Sequence, residues 1–220
     1  MTTTPGRPSR GGVGPGAPDP GVPSARRASR VRRTKETEVE VVVDLDGSGL
    51  VSVATGLPFF DHMLEQLGRH GGLDLQVHAS GDLQVDAHHT VEDVGIVLGE
   101  AMAGALGDKA GIRRFASIAL PLDEALVDVA LDISGRPFLG YDLGLPATST
   151  PLGDPPFDPQ LAEEFWRALV TAAALTLHVR AVSGINTHHL LEASFKAVAR
   201  CLRDAVRVDG VGVPSTKGVL

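Results

Sequence analysis

The chain has 220 residues and a formal net charge of −7, with 43% hydrophobic, 21% charged and 4% aromatic residues. That balance is a globular one, enough for one domain or two small ones, with a core of mainly Val, Leu, Ala and Ile. The longest apolar run, Ala168 to Leu177, falls well short of the roughly 20 residues a membrane helix needs. The single cysteine, Cys201, excludes an internal disulfide framework and fits a reducing, cytoplasmic setting without a membrane partner.

Residues 1–33 differ in composition from the rest. Prolines and glycines alternate through them, and seven arginines against one acid, Asp19, give this segment +6 and leave −13 for the remainder. Such a stretch cannot bury enough apolar surface to order itself. Its Arg-rich, acid-poor character is that of a nucleic-acid tail or a transit peptide, and it lacks the apolar stretch of a secretory signal. The expectation is an inert disordered extension, with no nucleic-acid partner.

From Thr34 the pattern changes. Thr37 to Leu45 alternates apolar and acidic residues, which predicts a strand with one wet face. Asp46-Gly47-Ser48-Gly49 reads as a turn, and Leu50 to Ala54 as the returning strand of a hairpin. Phe60, Met63, Leu64 and Leu67 then lie at helical spacing, with Asp61 as N-cap and Gly71-Gly72 as the stop. Leu73 to Ala79 and Leu83 to Val85 read as strands, and a helix follows from about His88 to Leu106. The second half repeats this order. Phe115 to Leu120 and Ala125 to Ile133 read as strands, 144–159 as a loop, Leu161 to Thr176 as a helix, His178 to Ser183 as a strand, and His188 to Val208 as a helix. The fold expected is α+β: an internal duplication of a hairpin–helix–strand–helix half, over about 34–107 and 112–208. Two small sheets, each covered by helices, pack into one body, and a C-terminal tail follows.

The chemistry centres on Asp86-Ala87-His88-His89-Thr90-Val91-Glu92-Asp93 and its near copy Asn186-Thr187-His188-His189-Leu190-Leu191-Glu192-Ala193. In each, a Glu follows the first His by four residues, which puts it on the same helix face. Adjacent His residues diverge by about 100° around a helix, so one pair does not readily place both rings on one ion. Two copies therefore point to two metal sites, each drawing ligands from more than one place. Imidazole with carboxylate and no thiolate suits a borderline first-row metal. The pattern is that of a metal enzyme; a binuclear metal phosphohydrolase is one such reading, and a metal-binding assembly protein is the non-enzymatic alternative.

These two blocks, with Phe59-Phe60-Asp61-His62-Met63-Leu64, Arg33-Thr34-Lys35-Glu36-Thr37 and Pro214-Ser215-Thr216-Lys217-Gly218, resemble the signature blocks of the imidazoleglycerol-phosphate dehydratase family. The resemblance covers essentially all of 33–220. It implies dehydration of imidazole glycerol phosphate to imidazole acetol phosphate, in histidine biosynthesis, with two Mn²⁺ per active site. The implied ligands are His62, His88, His89, Glu92, His178, His188, His189 and Glu192. His62 and His178 enter that set only through the resemblance, and His70 and His78 fall outside it as structural residues. Implied contacts to the substrate and its phosphate come from Gln66, Arg114, Arg136, Lys196, Ser215 and Lys217. Glu36 and Glu192 are the candidates for proton transfer, Glu36 competing with a plain role on the wet face of the first strand. The resemblance also implies a homo-oligomer of twenty-four subunits with active sites shared between them.

Overall fold

The computed structural model describes Met1, residues 26–146 and residues 149–220. Two sheets of four strands enclose four helices. The first half supplies β1 (Arg27–Arg33), β2 (Thr37–Asp44), β3 (Val51–Ala54), α1 (Pro58–Gly71), β4 (Asp74–Gly81) and α2 (His88–Leu106). The second supplies β5 (Phe115–Leu122), β6 (Ala125–Asp132), β7 (Phe138–Asp142), α3 (Leu161–Ala173), β8 (Thr176–Ser183) and α4 (Thr187–Ala205). Strand orders are β1-β2-β4-β3 and β5-β6-β8-β7, so the halves share one topology. The duplicated α+β architecture read from the sequence is the one observed.

Three local expectations are corrected. Arg27–Arg33 is not part of a disordered extension: it is β1, paired antiparallel with β2 along its whole length, from Arg27 opposite Asp44 to Arg33 opposite Glu38. Its arginines find partners that composition does not reveal. Arg32 Nε donates to the buried Asp93 of α2 at 2.8 Å, and Arg33 pairs with Glu38. The rest of the expected extension, 2–25, lies outside the described residues, as do 147–148 of the expected 144–159 loop. Second, β3 does not return against β2. Both edges of β2 are taken, by β1 and β4, and β3 pairs parallel with β4 instead. Asp74 Oδ1 accepts the backbone N–H of Ser48 and of Leu50, at 2.8 and 2.9 Å, which carries the turn past the end of β4 to its far edge. Third, residues 83–85 form a turn rather than a strand, while Phe138–Asp142, to which the sequence reading gave no element, is β7. Gly140 hides that strand from propensity and is needed there, since a Cβ at this position would lie 2.8 Å from His178 Nδ1 on the neighbouring β8.

Alternation gives each sheet one dry face. Val39, Val41 and Val43 on β2, Leu75 and Val77 on β4, and Val127, Val129 and Leu131 on β6 are buried toward the helices. The helices pack across the halves, α2 on α3 and α1 on α4. The α2–α3 approach depends on two glycines at i, i+4: a Cβ on Gly95 would stand 2.7 Å from the Phe165 carbonyl oxygen, and one on Gly99 2.6 Å from that of Leu169. The few aromatics are spent at the centre. Phe60, Phe165, Trp166 and Phe195 bring α1, α3 and α4 together with ring centroids 4.6–5.5 Å apart.

Candidate functional site

The α1–α4 contact is where the two halves meet in chemistry. α1 starts at Pro58, with Leu57 as an extended N-cap, and ends at Gly72 in the left-handed region (φ 65°). Asp61, expected as the cap, instead accepts the Thr55 N–H and hydroxyl, at 2.9 and 2.5 Å, and fixes the entry loop. α4 starts at Asn186, whose side-chain oxygen accepts from the N–H of His188 and of His189. Along α1, His62, Gln66 and His70 follow at four-residue spacing, and along α4 so do His188, Glu192 and Lys196. Two one-sided rows thus face each other across the helix pair.

They interlock. His188 Nε2 is 2.9 Å and His62 Nε2 3.4 Å from the same Glu192 oxygen, and Lys196 Nζ is 2.6 Å from the other. Gln66 Nε2 lies 3.4 Å from His62 Nδ1, and Gln66 Oε1 is 3.1 Å from His70 Nε2. His70, set aside as structural, therefore ends a relay that reaches the cluster. Burial opposes ionisation of Glu192, but hydrogen bonds from Lys196, His188 and His62 outweigh it and hold its pKa at about 2. Among the described residues, His62, His188 and Glu192 form the one group of three whose ligand atoms all lie within 4.8 Å of one another. That donor set, two imidazoles and a carboxylate, fits a first-row divalent metal.

The other expected ligands stand apart. His89, at the start of α2, has Nδ1 3.1 Å from Asp82 and 3.8 Å from Glu36 in the β1–β2 turn. The Asp82 hydrogen bond, opposed by desolvation and helped by Glu36, raises the His89 pKa. His189 Nδ1 is 2.7 Å from Glu124 in the β5–β6 turn, and this bond raises the His189 pKa while lowering that of Glu124 to about 2. Glu92 is exposed at the start of α2. His178 sits on the solvent face of the second sheet, 5.2 Å centroid to centroid from Phe138. Asp82 and Glu124 escape sequence reading because both lie in turns, where Asp and Glu read as turn chemistry. Asp93, beside the first His pair, is structural: it takes Arg32 and the Thr37 hydroxyl in a buried setting.

A second concavity, of about 610 Å³, is lined by Arg114, Arg136, Ser215, Thr216 and Lys217, with Pro214, Val219 and Leu220. Four of the six expected substrate contacts share it, whereas Gln66 and Lys196 belong to the histidine cluster. Arg114 is not solvated surface charge. Its guanidinium makes a two-point contact with Asp132 (2.7 and 3.1 Å) and donates to the Pro214 carbonyl at 2.8 Å, which moors the tail. The Arg136 guanidinium donates to the Ser134 carbonyl, and the Ser215 hydroxyl accepts from the Lys217 N–H.

Comparisons with known proteins give the family. The family model for imidazoleglycerol-phosphate dehydratase matches residues 55–202. Proteins of that name from Microcystis aeruginosa and Dinoroseobacter shibae are 53% and 54% identical, covering 92% and 89% of this chain and 97% and 100% of their own. A crystal structure of imidazoleglycerol-phosphate dehydratase from Staphylococcus aureus superposes with a TM-score of 0.73 at 36% identity, over 83% of this chain and 99% of the other. That from Pyrococcus furiosus gives 0.72 at 34%, over 87% and 100%. With two histidine helices, a relay joining the halves and matches of this extent, the chain belongs to the imidazoleglycerol-phosphate dehydratase family.

Proposed function

We propose that this chain is a metal-dependent hydro-lyase that converts imidazole glycerol phosphate to imidazole acetol phosphate in histidine biosynthesis, in the cytoplasm. The observation that carries the reading is the His62–His188–Glu192 cluster, which exists only because α1 of one half packs on α4 of the other. The cofactor proposed is Mn²⁺, two per active site, held by His62, His188 and Glu192 with His88, His89, Glu92, His178 and His189. Bound there, it supplies Lewis acidity and a template for the imidazole ring.

The chain's own groups do the remainder. Lys196 keeps Glu192 ionised and acceptor-only, so that oxygen stays available on the side facing the histidines. Gln66 presents its amide between His62 and His70, where it orients a bound ring. The phosphate is held by Arg136, Ser215 and Lys217, with Arg114 fixing the tail that carries the latter two. Glu36, exposed on its turn and 3.8 Å from His89, is placed to take the carbon-bound proton, and Glu192 is the second carboxylate available for proton transfer.

His178, His189 and the His88–His89–Glu92 helix start do not converge on the cluster within one chain. The site is therefore proposed to be completed between subunits of a 24-mer. Metal analysis of the purified protein, with turnover before chelation, after it, and after return of Mn²⁺, tests the reading. About two Mn²⁺ per chain, loss on chelation and recovery on reloading are expected. A fully active, metal-free protein overturns it. A triazole, which mimics the imidazole ring, is expected to inhibit strongly.

A further inference from the structure

The duplication is imperfect at one point that bears on the metal ligands. Both halves carry an acid in the first hairpin turn, immediately before the second strand: Glu36 before β2 and Glu124 before β6. Both helices that follow the fourth strand begin with a His pair, whose second members are His89 and His189. In the second half the turn acid grips its histidine, Glu124 Oε2 to His189 Nδ1 at 2.7 Å. Its other oxygen accepts the backbone N–H of Asn186 (3.0 Å) and Ile185 (3.4 Å). In the first half the turn acid does not grip: Glu36 stays 3.8 Å from His89 Nδ1, and Asp82 takes that nitrogen at 3.1 and 3.2 Å. Asp82 is the residue next after β4. The residue next after β8 is Gly184, at φ 142°, where a Cβ would come within 2.6 Å of the Leu190 Cδ2. A side chain there would be strained and would press on Leu190, and glycine supplies no carboxylate, so the second half has no counterpart of Asp82 at this position.

We propose that Glu124 is a positioning residue for a metal-ligating His189, and that Asp82 plays the same part for His89, which frees Glu36 in the first half for proton transfer. The inference rests on the metal reading above. A carboxylate can only accept, so the Nδ1 nitrogen it faces must carry the proton, and in the neutral ring Nε2 then carries the lone pair. Outer carboxylates of this kind fix tautomer and ring orientation and raise ligand basicity, and removing them costs about 10- to 100-fold in metal affinity. Glu124 adds a mechanical element, because the same side chain ties the start of α4 to the β5–β6 turn.

Glu124→Gln separates the two roles. The glutamine oxygen still serves the Ile185 and Asn186 N–H groups, while its NH₂ faces Nδ1 and drives the ring proton to Nε2. In the metal-stripped protein titrated with Mn²⁺ and followed by electron paramagnetic resonance, about a 10- to 100-fold weaker affinity is expected, with the unfolding temperature of the stripped protein close to wild type. Asp82→Asn is expected to give the same split. Wild-type affinity in Glu124→Gln, or a weaker affinity matched by a large fall in unfolding temperature, overturns the assignment. A wild-type protein that takes up no Mn²⁺ would instead overturn the metal reading beneath it.

Discussion

At the scale of single residues, one carboxylate is asked to satisfy three cationic or polar neighbours. Glu192 faces His62, His188 and Lys196 at 2.6–3.4 Å, and its pKa is lowered to about 2. A depressed carboxylate contributes stability that is present above its unfolded pKa of about 4.3 and is lost as pH falls toward the folded value. In chelated protein, urea midpoints measured between pH 5 and 2 should therefore fall with pH, and Glu192→Gln should flatten that limb. The phosphate contacts separate differently. Arg136→Ala and Lys217→Ala remove charge from the tail cavity without touching the histidine cluster, so each is expected to raise KM about tenfold or more at unchanged metal content. Glu36→Gln should collapse kcat with near-normal KM. Steady-state kinetics with metal analysis on all three variants checks these assignments.

At the scale of elements, β1 and the α2–α3 pair carry the sharpest expectations. β1 contributes a full strand ladder and Arg32, whose exposed side chain reaches in to the buried Asp93. Truncation to Thr34 exposes the edge of β2 and leaves the buried Asp93 without its guanidinium. A protein beginning at Thr34 is expected to aggregate or unfold well below wild type in a thermal melt, while one beginning at Arg26 retains the ladder and melts near wild type. In the helix layer, Gly95 and Gly99 let α2 lie against the α3 backbone. Gly99→Val would place side-chain carbons where the Leu169 carbonyl oxygen already stands, and overpacking of this kind costs about 1–3 kcal/mol. Chemical denaturation of the variant reads that directly, with a loss of metal affinity expected only if α1 and α4 shift with their neighbours.

At the scale of the whole molecule, the decisive fact is that helices pair across the duplication. α1 with α4 builds one metal-competent cluster from both halves, but the solvent face of the second sheet presents His178, and the start of α2 presents His88, His89 and Glu92, away from it. Under the proposed function, a ligand set divided among several surfaces would couple metal binding to association, since the free energy of binding then accrues to the assembled state. Light scattering of the metal-stripped protein is expected to show a much smaller oligomer, and return of Mn²⁺ to rebuild the large particle. An unchanged mass after complete stripping would uncouple the two.

The sequence alone determined the duplication, the helices, the stop of α1 at Gly71-Gly72, and the paired His-His-x-x-Glu blocks, because those features depend on local periodicity and on residue types with strong backbone preferences. His188 and Glu192 were legible together for the same reason: four residues apart on one helix is a local statement. The tertiary structure decided what lies opposite. Arg27–Arg33 shares the arginine-rich composition of the residues before it, and only the open edge of β2 and the buried Asp93 make it a strand. β3 reads as a hairpin partner of β2 until the pairing of β2 with β4 sends it elsewhere. Asp82 and Glu124 read as turn residues, and their grip on His89 and His189 is a contact between segments 7 and 65 positions apart. His62 looks like any histidine near a helix start. It joins Glu192, 130 residues away, because burying the aromatic cluster holds α1 against α4, and that packing is a property of the folded body rather than of either helix.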